Sequence, residues 1–317
     1  MSLLSQYSYL PQKQQGIALI QVLLITAILS ILAVYLTNTA KEQVKIAQWT
    51  NDKSQALVNL HSAEARLIFS LLTQRKIVTS QNNANGKSNA VGDILGSSVE
   101  SITQRWNFFA KPFYLSEQVM VAIQDQAGLV HAQYPDRDVL DKLFVEQGLG
   151  MVEVNELIDN LLDWQDLDSI SRANGAETSA YAGLIRNGAI PDVHDFSFIK
   201  KITPELLELL LKTTTIYRQG PFNPTNVPTE LLYALTNENV AKQVILLREN
   251  GQLTKTNFSQ LTGIVEDDDT FFYPSNFLSI KLTSKVGESK VQKEMTIQVI
   301  PYAKADQSPI NFFSNRG

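Results

Sequence analysis

Residues 17–36, IALIQVLLITAILSILAVYL, constrain the chain more than any other stretch. These twenty residues carry no charge, and Gln21, Thr26 and Ser30 are among their few polar side chains. As a helix rising about 1.5 Å per residue they would span about 30 Å, the thickness of a bilayer's hydrocarbon core. A core helix of a soluble domain would show a polar stripe every three or four residues, and this one has none. Residues 1–16 precede it with Lys13 as their one charged side chain. After it the pattern stays helical but turns polar as far as Arg75. Val44, Ala47, Leu57, Leu60, Ala63, Leu67, Ile68, Leu71 and Leu72 fall mostly three or four apart, an amphipathic face that must pack on something.

Three readings fit the apolar run. A cleaved secretory signal would have a shorter core ending in small residues, and the site around Asn38 and Ala40 is a poor one. An uncleaved signal anchor fits well. The third is a leader cut where Gly16 abuts Ile17. The rest of the composition mainly excludes. The chain has 317 residues, 44% hydrophobic and 19% charged, enough for an anchor and one or two folded domains. With no cysteine there is neither a disulfide nor thiolate chemistry. A formal charge of −5 gives no reason to expect nucleic acid or anionic lipid as a partner. Only three histidines occur, His61, His131 and His194. No Gly-x-Ser-x-Gly, P-loop or His-Glu-x-x-His motif is present, so the residues point away from an enzyme.

Residues 81–98, rich in Asn, Gly and Ser, read as a loop. Residues 105–115 form an aromatic-rich strand region. Residues 119–123 and 129–134 are expected to form a hairpin across 124–128. Strand patterns return at 277–284 and 291–300, joined by the polar turn 285–290, and the tail after Pro301 is expected to be irregular and frayed. Between these strand groups the pattern is helical. Strands, a helical block and strands again predict an α+β fold with an all-α domain inserted into it.

The junction Gln14-Gln15-Gly16 with Ile17-Ala18-Leu19-Ile20 resembles the class III leader of type IV pilins and type II secretion pseudopilins. In that family the leader is cut after the glycine and the new N-terminus is methylated, which here implies cleavage between Gly16 and Ile17 by a prepilin peptidase. The fifth residue after the cut is normally Glu, and here it is Gln21. A carboxylate in hydrocarbon costs roughly 2.5–3.5 kcal/mol unless paired. Its partner is understood to be the amine of the subunit ahead, so a subunit with nothing ahead is better served by a neutral residue. Residues 156–177, ELIDNLLDWQDLDSISRANGAE, resemble the K-type stretch in which a Leu-x-Asp-Trp helix end leads into an Asp-rich loop and Asn-Gly-Ala-Glu. Residues 222–235, FNPTNVPTELLYAL, are similar to its Asn-x-Asn-Thr-Ala segment, although Pro224 interrupts the match.

That resemblance identifies the chain as a K-type minor pseudopilin. It implies a pilin-like fold: a long N-terminal transmembrane helix packed on an antiparallel sheet, with an inserted helix-hairpin-helix or SAM-like domain. The expected division is a leader (1–16), a transmembrane segment (17–36), a periplasmic helix with the first strands (37–134), an inserted helical domain (135–272) and C-terminal strands with a tail (273–317). The implied role is a cap on the periplasmic pseudopilus that helps start its assembly for export of folded proteins. The implied partners are I- and J-type minor pseudopilins and the inner-membrane secretion platform of a Gram-negative cell. Asp163, Asp166, Asp168 and Glu177 are the candidate Ca²⁺ ligands, being oxygen donors close together on a loop. The same residues also read as a helix cap and turn formers. The rival function comes from residues 226–264, which resemble helix-hairpin-helix modules, including those of membrane-anchored DNA-uptake receptors. Their Gly-h-Gly phosphate cradle is replaced here by Thr236-Asn237-Glu238-Asn239.

Overall fold

The computed structural model describes residues 17–76, 102, 106–218 and 220–317. Gly16 and the loop expected at 81–98 lie outside the described residues. Helix α1 runs unbroken over Ile17–Thr73, 57 residues. It is the one helix among the described residues long and apolar enough to cross a membrane, and its apolar half is exposed. Burial begins at Ala56 and continues through Leu60, Ala63, Leu67 and Leu71, a stripe at helical spacing. Val44 and Ala47, on the expected face, stay exposed because the sheet lies only under the distal end, and Leu57 stays exposed although its neighbours Ala56 and Leu60 are buried.

That sheet has five antiparallel strands in the order β1-β2-β5-β6-β7. They are β1 (Phe113–Ser116), β2 (Val119–Asp125), β5 (Phe277–Val286), β6 (Ser289–Val299) and β7 (Ile310–Arg316). The inward residues Val121, Ile123, Leu278, Ile280, Leu282, Met295 and Ile297 alternate along the strands and close over Leu60, Leu67 and Leu71. The rod is also pinned by charge: Lys293 Nζ donates to both Glu64 oxygens at 2.7 and 2.8 Å. At the β5–β6 turn Gly287 has φ +54°, and a Cβ there would sit 2.3 Å from Asp52 on the rod. Only glycine serves both the turn and the contact.

The remaining strands, β3 (Val130–His131) and β4 (Thr214–Thr215), form a separate parallel pair. The helical lobe comprises α2 (Arg137–Glu146), α3 (Met151–Gln165), α4 (Pro204–Thr213), α5 (Thr229–Leu235), α6 (Glu238–Glu249) and α7 (Lys255–Thr262). It has its own core, centred on Leu140, Phe144, Ile158, Phe196, Leu231 and Phe258. Asp136, Thr203, Asn237 and Thr254 cap α2, α4, α6 and α7 through their side chains. The fold is therefore α+β and pilin-like, with the helical lobe between β3 and β5.

Two expectations are corrected. Residues 119–123 do not form a hairpin with 129–134. Both edges of β2 are taken, by β1 and β5, so residues 129–134 find no edge there. Asp125 accepts a bond from the Ala127 N–H and turns 126–128 into a 3-10 helix, which sends the chain away to β4. The tail is not frayed throughout: residues 310–316 pair with β6 as the last strand. A free edge supplies hydrogen bonds that no local propensity announces. Phe313 rests 5.7 Å from both the Phe277 and Tyr217 rings, and Arg316 bonds Asp192 of the helical lobe at 2.7 Å.

A buried polar joint ties the two lobes. The Asp125 carboxylate, with no exposed surface, accepts from Asn223 Nδ2 at 3.1 Å, Asn226 Nδ2 at 2.9 Å and the Ser275 N–H at 3.2 Å. A buried carboxylate is tolerable only when so completely bonded. Gly128 lets the Asn226 backbone approach, since a Cβ there would stand 2.5 Å from the Asn226 oxygen. The FNPTN segment is thus the strap between sheet and helices.

Candidate functional site: a carboxylate pocket at the end of α3

Helix α3 ends in LLDWQ, and its apolar face commits the orientation of everything after it. Trp164 is buried, edge-on to Tyr181 with centroids at 5.1 Å and stacked on Phe198 at 6.3 Å. With Trp164 held inward, Asp163 points into the loop that follows, fully buried, and Asp166 forms the C-cap. The loop returns so that Glu177 meets them: Asp163, Asp166 and Glu177 each place a carboxylate oxygen within 4.8 Å of the others. Asp168 is not brought in. Its carboxylate accepts the Ile170 N–H at 2.7 Å and its carbonyl takes Asn187 Nδ2, so it shapes the turn. Three of the four expected ligands therefore converge, and the fourth does not.

Within this pocket positive charge is short. Arg172 bonds both Asp163 and Asp166, and its N–H donates to Asp163 at 3.1 Å. Among the described residues no cationic side chain answers Glu177, which is 7% exposed with neither oxygen partnered by the hydrogen-bond geometry. Burial, reinforced by Asp163 and Asp166, pushes its carboxyl above the ordinary glutamate value. Asp166 Oδ1 is likewise buried and unpaired. Three orphaned hard oxygens beside one arginine are a donor set that suits a divalent cation such as Ca²⁺. Gly175 makes the convergence possible, because a Cβ on it would lie 1.9 Å from Asp163 Oδ2. The sequence reading named neither Arg172 nor Gly175, although both lie in the quoted SRANGAE run.

The other sequence-singled residues carry little chemistry. Gln21 is exposed on α1 among apolar neighbours. His61 is exposed beside Glu64, and His131 Nδ1 accepts from the Gln133 and Tyr134 N–H groups. Between α5 and α6, Asn237 caps Val240 and Glu238 pairs with Lys242, leaving no glycine cradle for a phosphate. Elsewhere, Glu266 accepts from Lys255 at 2.6 Å and from the Phe272 N–H at 2.8 Å.

Residues 120–219 match the family described as Type II secretion system (T2SS), protein K, a span that starts in β2 and ends beyond β4. That stretch is similar to the type II secretion protein K family. A protein of Escherichia coli strain K12, provisionally named type II secretion system protein K, is 24% identical over 213 residues, 65% of this chain. The match spans 61% of that relative's length. The crystal structure of the GspK-GspI-GspJ complex from the type 2 secretion system of enterotoxigenic E. coli contains a chain of similar fold. It has a TM-score of 0.50 and 14% identity, over 85% of this chain and 98% of that one. The protein K match covers the whole carboxylate pocket and Asp125, whereas the FNPTN strap lies beyond it.

Proposed function

We propose that this chain is a minor pseudopilin of the protein K type that caps a periplasmic pseudopilus and helps start its assembly. Its role is mechanical rather than catalytic: the pseudopilus would push folded proteins toward the outer membrane, driven by a cytoplasmic ATPase. The observation that carries this reading is the protein K match at 120–219, seated on a fold that hangs from one exposed apolar rod. The solved relative comes from an assembly named for GspK, GspI and GspJ, which supports I- and J-type pseudopilins as partners here.

In this reading a prepilin peptidase cuts between Gly16 and Ile17, Ile17 is methylated, and residues 17–36 stay in the inner membrane with the bulk in the periplasm. The rod would contact partner helices and the secretion platform through its small residues Ala18, Ala27, Ser30 and Ala33. The Thr26 and Ser30 hydroxyls add no unpaired donors to lipid, since they bond carbonyls three and four residues back. Gln21 places no charge where a subunit ahead would be needed to neutralise one. The helical lobe, broader than a rod, suits the top of a filament better than its side.

Ca²⁺ fits the carboxylate pocket, held by Asp163, Asp166 and Glu177. Bound there it would supply the positive charge that Arg172 alone does not. The chain's part is to bury the three carboxylates, orient Asp163 through Trp164 and admit them past Gly175.

Co-purification tests the cap. Full-length protein extracted in detergent should elute with I- and J-type partners as one complex at about 10 µM, in the range of ordinary specific association. Elution apart from both would end the proposal.

A further inference from the structure

Beside the strap between the lobes lies a second uncompensated charge, on Arg248 near the end of α6. Its side chain is almost wholly enclosed, the residue being 6% exposed. Nη1 donates to the Val227 carbonyl at 2.8 Å and Nη2 to the Pro224 carbonyl at 3.2 Å, while the Phe109 ring stands 5.0 Å from the guanidinium. Its Nε has no partner, and among the described residues no carboxylate pairs with it. Desolvation pulls this group down to about 9. A buried cation with no counter-ion is costly unless something anionic completes it.

A cavity of about 270 Å³ opens next to it. Lys76 and Lys255 share the wall with Arg248, the aromatic rings of Phe109, Phe272 and Tyr273 form the sides, and among the described residues no Asp or Glu lines it. The lysines are partly balanced. Lys255 pairs with Glu266 at 2.6 Å and lies over Tyr273, while Lys76 donates to the Ser275 carbonyl and feels the Asp125 carboxylate at longer range. Burial lowers Lys76 to about 8. The N-terminus of α7, capped by Thr254, belongs to the same wall and adds positive potential. The centre therefore lacks one negative charge, and the space beside it is flat and apolar. It is slightly smaller than the roughly 300–1,000 Å³ of drug-sized sites, which selects a ligand of one ring.

We propose that this cavity binds a small organic acid, its single carboxylate meeting Arg248 and Lys255 and its flat apolar body lying among Phe109, Phe272 and Tyr273. The site is independent of the carboxylate pocket on α3 and of the capping role. Nothing in it requires a membrane or a partner pseudopilin.

The test uses full-length protein in detergent, with benzoate as probe, benzamide as its neutral counterpart and chloride to match ionic strength. Saturating benzoate should raise the unfolding midpoint by about 2–4 °C, and benzamide should not. Binding read by saturation-transfer NMR should weaken roughly tenfold in Lys255→Gln and in Arg248→Met, the loss of one charge-assisted hydrogen bond. Lys255 is partly exposed, so its variant carries the test even where Arg248→Met disturbs folding. Equal responses to benzoate and benzamide, no response up to tens of millimolar, or unchanged benzoate affinity in Lys255→Gln would each overturn the proposal.

Discussion

Gly175 carries the largest consequence of any single residue in the loop after α3. Its backbone lies against Asp163 so closely that a methyl group would stand 1.9 Å from Oδ2 and 2.8 Å from the carboxyl carbon. Asp163 is fully buried and bonded to Arg172, so turning it away from the clash would leave a buried charge unpaired. Gly175→Ala should therefore cost about 1–3 kcal/mol, the usual penalty of overpacking. If Ca²⁺ binds there as proposed, it should raise the parent's melting temperature, and Gly175→Ala should abolish that rise. Thermal unfolding with calcium and with chelator measures both, and an undiminished calcium response in the variant would refute the pocket. Residue types, with the resemblance of this loop to the K-type stretch, pointed to Asp163, Asp166, Asp168 and Glu177. They could not separate Asp168 from the other three, because spacing along a loop says nothing of which way each carboxylate turns. Arg172 and Gly175 escaped notice for a related reason: a cation and a missing Cβ become functional only through what approaches them.

At the scale of elements, α2 and α3 are joined by a pair that should respond to acid. Arg137 opens α2 and bonds Asp159, midway along α3, at 3.0 Å, while Asn174 donates to the other carboxylate oxygen at 3.2 Å from its N–H and 3.0 Å from Nδ2. Burial pushes the Asp159 carboxyl up, but the Arg137 and Asn174 hydrogen bonds together outweigh it, and the group lies below the ordinary 3.8. A depressed folded value stabilises wherever the unfolded chain would already be ionised. That contribution is complete well above pH 3.8 and fades as pH falls through the lower folded value. Asp159→Asn should thus be less stable than the parent at neutral pH, and the gap should close in strong acid. Urea titrations in chelator between pH 7 and about 3 would show it; a gap that stays constant would contradict the assignment. Elements with a strong period were legible from the sequence: the rod, the helical block, and the β5 and β6 strands. The short ones were not. Residues 129–134 look like the partner of β2, and 310–316 look like a tail, because strand pairing depends on which edge is free.

At the scale of the molecule, two separate cores are held in register by a few buried polar contacts and hung from one apolar helix. If the rod enters a filament as proposed, protein taken from membranes should lack residues 1–16 and start at a methylated Ile17. Intact-mass spectrometry decides this: retention of Met1, or loss of the entire apolar run, would remove the basis for a capping subunit. The sequence by itself determined the membrane-length rod, the α+β order with its helical insertion, and a loop rich in oxygen donors. Those depend on composition and short-range periodicity, which a linear reading contains in full. Only the tertiary structure decided which carboxylates converge, where the last strand pairs and how Asp125 gathers Asn223 and Asn226 from about a hundred positions away. Such contacts are set by which buried polar groups and free strand edges remain once the two cores have closed, and distance along the chain carries no record of that.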